Sequence, residues 1–391
     1  MREVVIVSAS RTPVGSFNGM LSAIPTTQLG SVAIKDAIKK ANINPENIDE
    51  VIMGNVLAAG EGQAPARQAS LGAGVPNSVP CMTINKVCGS GLKAVMLASQ
   101  SIMVGDSNIV VAGGMENMSL TPHLLEKSRT GYRMGNVQVV DSMVKDGLWD
   151  PYNDFHMGTA GEMCVKKEEF TREEQDNFAI NSYKKSLNSI EKGYFKDEIA
   201  PVEIKDRKGT QVIDQDEQPF KSNLDKIPTL RPVFDKEGTI TAANASPIND
   251  GASALVVMGD DTAKEMNIKP LVKILGYATH AQAPEWFTTA PVEAIKKALE
   301  KANLKIEDID LFEINEAFAA VTMAAIKELS LDAEKVNVAG GAVAMGHALG
   351  SSGSRILTTL IHNLKRENKR YGLATLCIGG GEAVAMVVES V

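Results

Sequence analysis

What this chain of 391 residues lacks narrows it first. Its four cysteines, Cys81, Cys88, Cys164 and Cys377, stand far apart, with no Cys-x-x-Cys among them. That spacing excludes a disulfide framework and a structural zinc site, and fits reduced thiols in a cytosol. His123, His156, His280 and His362 show no metal-ligand spacing, so no resident metal is expected. No long basic run occurs and the net charge is −8, which argues against nucleic acid or an anionic membrane as the main partner. No apolar run reads as long enough to span a bilayer. The opening MREVVIVSAS reads as a strand rather than a signal peptide, so a cytoplasmic location is expected. The Gly-x-Ser-x-Gly nucleophile elbow is absent. Gly341 and Gly346 have the glycine spacing of a phosphate-binding loop, but His347 follows where that loop needs lysine.

What is present is organised around Asn85 to Val95, NKVCGSGLKAV. Cys88 precedes Gly89-Ser90-Gly91, and Leu92 onward reads as the opening of a helix. A thiol there sits in the positive end of a helix dipole, which favours thiolate, the nucleophilic form. The glycines leave room for a substrate and for neighbouring backbone.

An apolar content of 44% supports a sizeable core. Along the first third, Val4 to Val7, Ile48 to Met53, Cys81 to Ile84 and Ile109 to Ala112 read as strands, with helices over Gln28 to Ala41 and Leu92 to Met103. From Thr121 to Asn249 the periodicity breaks, and only the capping box Thr171-Arg172-Glu173-Glu174 clearly opens a helix. This reads as an inserted cover. Then the first pattern returns. Leu271 to Leu275 mirrors Val4 to Val7, Leu311 to Ile314 mirrors Val51 to Met53, and Leu373 to Cys377 mirrors Ile109 to Ala112. A glycine loop through Gly353 precedes a helix over Ser354 to Leu364. Val51 to Cys88 spans 37 residues and Leu311 to His347 spans 36. The chain is therefore a duplicated βαβ-rich unit. Its halves are residues 1–120 with 250–270, and 271–391, with 121–249 inserted.

Glycine-flanked segments should converge between the halves. Cys88 supplies a nucleophile and His347 a base. Cys377 is a second thiol able to move a proton to or from carbon. Gly379 offers an unobstructed N–H as an oxyanion donor. Asn315 can orient a water or donate directly. Together they suit acyl transfer through a thioester.

NKVCGSGLK, AGGMENMS, NEAF, GGAVAMGHALG, CIGGGEA and GTITAANASPINDGA together resemble the thiolase family, over nearly the whole chain. The resemblance implies an α/β thiolase fold: two stacked βαβαβαββ halves in five layers, α-β-α-β-α, with an inserted loop domain. It implies reversible condensation of two acetyl-CoA to acetoacetyl-CoA and CoA through an acetyl-Cys88, with longer 3-ketoacyl-CoA chains as the alternative. The CoA thioesters are substrates, and no cofactor is implied. His347 would activate Cys88, and Cys377 would act on the second acetyl group. The N–H groups of Cys88 and Gly379 would form one oxyanion hole, and His347 with an Asn315-held water the other. Leu148, His156, Met157, Phe234, Ala242, Ser246, Ala317 and Phe318 match pantetheine and acyl-pocket positions, and Lys221 stands near the family's phosphate contact. A homotetramer built from dimers is also implied. This chain departs from the family at Ala348, usually proline, at Pro247, commonly glycine, and at Glu382, frequently a smaller or amide residue.

Overall fold

The computed structural model describes residues 2–206 and 209–391. The principal elements of the first half are β1 (Val4–Arg11), α1 (Thr26–Ala41), β2 (Glu50–Gly54), α2 (Pro65–Gly72), β3 (Cys81–Ile84), α3 (Ser90–Val104) and β4 (Ile109–Asn117). Between residues 118 and 248 lie mostly short strands and turns around two longer helices, α4 (Met157–Glu168) and α5 (Arg172–Glu191). The expected capping box opens α5, with Thr171 and Glu174 exchanging side-chain and backbone bonds. Then follow β5 (Asn249–Gly259), β6 (Val272–Ala281), α6 (Ala290–Ala302), β7 (Leu311–Ile314), α7 (Ala319–Leu329), α8 (Leu349–Glu367), β8 (Tyr371–Ile378) and β9 (Glu382–Ser390).

The strands run in the order β7-β8-β9-β6-β1-β5-β4-β2-β3. The order is near-symmetric about the β6–β1 junction, where Val5 faces Lys273 and Ile6 faces Val272. Each first strand carries a register shift in its pairing with its own half, at Ile6/Ser8 and at Ile274/Gly276. The duplication thus extends to a bulge, a local kink that strengthens twist. Among the described residues the second half has four strands, and the counterpart of β3 is a single parallel bridge between Phe312 and Val336.

Three apolar cores define the layers. One packs α1 and α2 on the outer face of the first sheet, through Leu29, Ala33, Ala37 and Ala69. A second, with Leu92, Val95, Leu357 and Leu360, lies between the sheets and holds α3 and α8. The third covers the second sheet with α6, through Ile295 and Ala298. Burial on both faces explains why strands such as Val110–Ala112 read as unbroken apolar runs.

The central layer also corrects two expectations. Residues 87–104 do form a stretch long and apolar enough to cross a membrane, but more than half of it is buried inside the fold. Its apolarity belongs to a helix sandwiched between sheets. The glycine run before Ser354 is not all loop, because α8 begins at Leu349. Gly350 and Gly353 are helical and serve close packing: a Cβ on Gly353 would stand 2.4 Å from the Leu92 nitrogen.

Candidate active site

The two central helices bring their N-terminal ends to one place. Cys88 immediately precedes the Gly89 cap of α3, and His347 immediately precedes the Ala348 cap of α8. Cys377 is the penultimate residue of β8 and Gly379 opens the turn into β9. Cys88, His347, Cys377 and Gly379 line one cavity of about 380 Å³. Leu148, His156, Met157, Phe234, Ala242, Ser246, Ala317 and Phe318 line it too.

Two sequence expectations fall outside that wall. Asn315 stands behind His347, its amide nitrogen 3.4 Å from Nδ1 and its Oδ1 buried without a partner. Lys221 is not at the cavity; its ammonium pairs with Glu217 one helical turn back, at 2.6 Å. The Glu217 carboxylate takes the cation.

The nucleophile turn is strained. Val87 has φ +46°, an outlying conformation for a β-branched residue. It is held by Asn85 Oδ1, which accepts the Val87 N–H at 2.9 Å, and by Ser90 Oγ, which accepts the Lys86 N–H at 2.8 Å. The backbone N–H of Gly379 and that of Cys88 itself both point to the Cys88 sulfur. They come from opposite halves of the duplicated chain.

The helix dipole does not win at Cys88. Burial pushes the thiol up to about 11, against those two N–H donors. Cys377 is held well above the ordinary thiol range, by burial first and then by its proximity to Cys88. Both cysteines therefore rest as thiols at neutral pH, and Cys88 needs a base.

His347 is built to be that base. Burial, reinforced by the Arg355 charge, pushes its imidazole down to about 3, so it is neutral. Asn249 Oδ1 accepts the His347 N–H at 3.0 Å. Gly346 before it has φ +113°, and any Cβ there would strike the Asn249 side chain at 2.3 Å. Ala348 keeps φ at −75°, within the range that a proline ring imposes. The turn therefore retains proline-like geometry without the ring. Nδ1 of His347 lies 2.6 Å from Ser352 Oγ, while Nε2 is buried without a partner.

Glu116 supports this arrangement from the first half. Its carboxylate accepts N–H groups from Val56, Leu57 and Gly350, the last at 2.8 Å in the opening turn of α8. Burial pushes it up to about 7. Its position in AGGMENMS gave no hint of that reach across the halves.

The far cavity wall is aromatic. His156 stacks on Phe234 with centroids 4.8 Å apart, and Phe234 meets Phe318 edge-on at 6.1 Å. His156 Nδ1 accepts the Gly158 N–H at 3.0 Å, so the neutral ring carries its proton on Nε2 and can donate. Phe287 and Met118 are among the lining residues that were not expected from sequence. Only packing from distant segments places them there.

A buried thiol, a neutral imidazole with a free nitrogen, paired backbone donors and an apolar tunnel define a thiol-dependent acyl-transfer site. Residues 4–261 match the family model described as thiolase, N-terminal domain, and residues 268–390 that described as thiolase, C-terminal domain. The chain belongs to the thiolase family. It is 53% identical to an acetyl-CoA acetyltransferase of Cupriavidus necator, covering all of both chains. It is 52% identical to acetyl-CoA acetyltransferase 2 of Arabidopsis thaliana, covering 99% of this chain and 97% of that one. A crystal structure of the Bacillus anthracis acetyl-CoA acetyltransferase superposes with a TM-score of 0.98 at 42% identity, covering 100% of this chain and 99% of that one.

Proposed function

We propose that this thiolase is an acetyl-CoA C-acetyltransferase, interconverting two acetyl-CoA with acetoacetyl-CoA and CoA. The observation that carries the reading is one cavity lined by two thiols of unequal surroundings and a neutral histidine with a free nitrogen. Full-length relatives bearing that activity in their names support the acetyl substrate.

His347 Nε2 takes the Cys88 proton as sulfur attacks the thioester carbonyl. The oxygen that gains charge is met by the N–H groups of Cys88 and Gly379, donors that need no reorganisation. CoA leaves as a thiol, receiving the proton from His347. A second acetyl-CoA then enters; Cys377 passes its own proton to the freed His347 Nε2 and, as the thiolate, takes a proton from the methyl group. The resulting enolate, its oxygen met on the His347 side with Asn315 behind it, attacks acetyl-Cys88; the tetrahedral oxyanion returns to the Cys88 and Gly379 N–H groups, and its collapse breaks the Cys88 thioester, releasing acetoacetyl-CoA while Cys88 regains a proton from His347. His156 Nε2–H and the Phe234–Phe318 wall receive the pantetheine arm.

Two further readings accompany this one. The segment from Leu125 to Val139 exposes Tyr132, Met134, Val137 and Val139, with Met134 98% exposed, beside Lys127, Arg129 and Arg133. Exposed apolar groups of this kind support assembly of dimers into a homotetramer. Light scattering at micromolar concentration checks it, a stable monomer counting against it. Four free thiols suit a reducing, cytoplasmic setting.

The central test is mass spectrometry of protein treated with acetyl-CoA. An acetyl group on Cys88, absent in Cys88→Ala, is expected. An adduct on Cys377 instead would overturn the assignment of roles.

A further inference from the structure

Glu382 forms an ion pair with Lys86. Neither residue lines the cavity. Lys86 lies two positions before Cys88 on the strained turn, and Glu382 lies three positions after Gly379. The pair therefore joins the two loops that supply the two N–H donors on the Cys88 sulfur.

Both ends are rigidly based. The Lys86 N–H is tied to Ser90 at the start of α3. Glu382 opens β9 and is paired on both sides, with Ile378 of β8 and Ala281 of β6. The loops also touch directly: a Cβ on Gly89 would stand 2.3 Å from Ile378 Cδ1. The turn is unfavourable at Val87, whose φ of +46° opposes the intrinsic preference of valine. Such strain persists only where surrounding contacts over-determine it. Asn85 and Ser90 restrain the turn from within its own half; Lys86–Glu382 is its only ion pair to the other half among the described residues.

We propose that Lys86 and Glu382 are positioning residues, a latch across the two halves that fixes the separation of the Cys88 and Gly379 N–H donors. As a stability element, a pair with side chains 23% and 33% exposed is worth little. As a geometric restraint it matters more, because displacing catalytic groups by an ångström costs up to about 10²-fold in rate. The side chains lie outside the cavity, so the latch acts on rate and not on substrate affinity. The proposal rests on Cys88 being the acylated nucleophile.

The test is rapid-quench acetylation of Cys88 read by intact-protein mass spectrometry, with KM and circular dichroism measured on the same preparations. Lys86→Met and Glu382→Gln are each expected to slow acetylation about ten-fold. The double variant should lose no more than either single one. Lys86→Arg, which keeps the charge, should stay within about two-fold, and KM for acetyl-CoA should change little throughout. Acetylation in Glu382→Gln equal to the parent protein would overturn the latch, as would fully additive losses in the double variant. If the parent protein itself takes up no acetyl group on Cys88, the assigned function falls and the latch with it. If the parent reacts normally and the variants match it, the latch alone falls.

Discussion

His347 Nδ1 and Ser352 Oγ lie 2.6 Å apart, and Ser352 Oγ lies 2.8 Å from the Ala348 carbonyl oxygen. A serine hydroxyl has one proton. Given to the carbonyl, which can only accept, it leaves Ser352 as the acceptor for Nδ1–H. The lone pair of the neutral imidazole is then on Nε2, the nitrogen without a protein partner. One buried hydroxyl thus selects the basic tautomer, through a turn of α8.

Ser352→Ala should therefore lower kcat about 10- to 100-fold, less than the about 10²–10⁴-fold expected for outright loss of a general base, with little change in KM. Ser352→Thr, which retains the hydroxyl, should be faster than the alanine variant. Steady-state kinetics of acetoacetyl-CoA thiolysis checks both. Equal losses would show that packing, rather than the hydroxyl, matters there.

The pH dependence of Cys88 follows from its burial. A thiol held near 11 is protonated at neutral pH, so alkylation by iodoacetamide should climb steadily with pH beyond 9. A plateau reached near pH 6 would instead signal a thiolate–imidazolium pair. His347, held near 3, stays neutral in the folded protein while an unfolded imidazole titrates near 6.5. Below that value the unfolded state binds the additional proton. His347 therefore contributes a progressive loss of stability as pH falls from about 6.5 toward 3, and none above it. Urea midpoints at pH 7 and pH 5 for the parent protein and His347→Asn isolate this effect, the variant showing the smaller drop.

Cys377→Ser should spare the first half-reaction. Acetylation of Cys88 is expected near the parent rate, while condensation falls about 10²–10⁴-fold. A single-turnover experiment separates the two steps. Equal loss in both would mean that Cys377 does not act on the second acetyl group alone.

Gly353→Ala tests the central layer. Alanine gains about 1 kcal/mol over glycine in a helix. Its Cβ, however, would stand 2.4 Å from the backbone nitrogen of Leu92, which cannot rotate away. Overpacking of a rigid neighbour costs about 1–3 kcal/mol, so the net effect should be destabilising. Thermal melting is expected to show a lower midpoint, and a raised midpoint would refute the close contact.

Much of this protein is legible in its sequence. Runs such as Val4–Val7 and Leu311–Ile314 are strands because β-branched and large apolar side chains pack on both faces of a covered sheet. Thr171 and Glu174 mark a helix start because capping is satisfied within four residues. The duplication shows as matching intervals before Cys88 and His347, because equivalent βα units need equivalent lengths. Those are local or periodic properties, carried by neighbouring residues.

Other features depend on groups far apart in sequence. The dipole at the start of α3 predicts a thiolate at Cys88, yet the surrounding apolar walls, contributed by both halves, raise that thiol instead. Asn315 can orient a water or donate directly as far as sequence shows, and only the fold sets its amide nitrogen 3.4 Å from His347 Nδ1. The sequence determined the elements, the repeat and the residue types that do chemistry. Tertiary structure alone decided their protonation, partners and facing. Desolvation and Coulomb interactions depend on three-dimensional distance, and the duplicated fold brings Cys88 and Gly379 together across almost three hundred residues of chain.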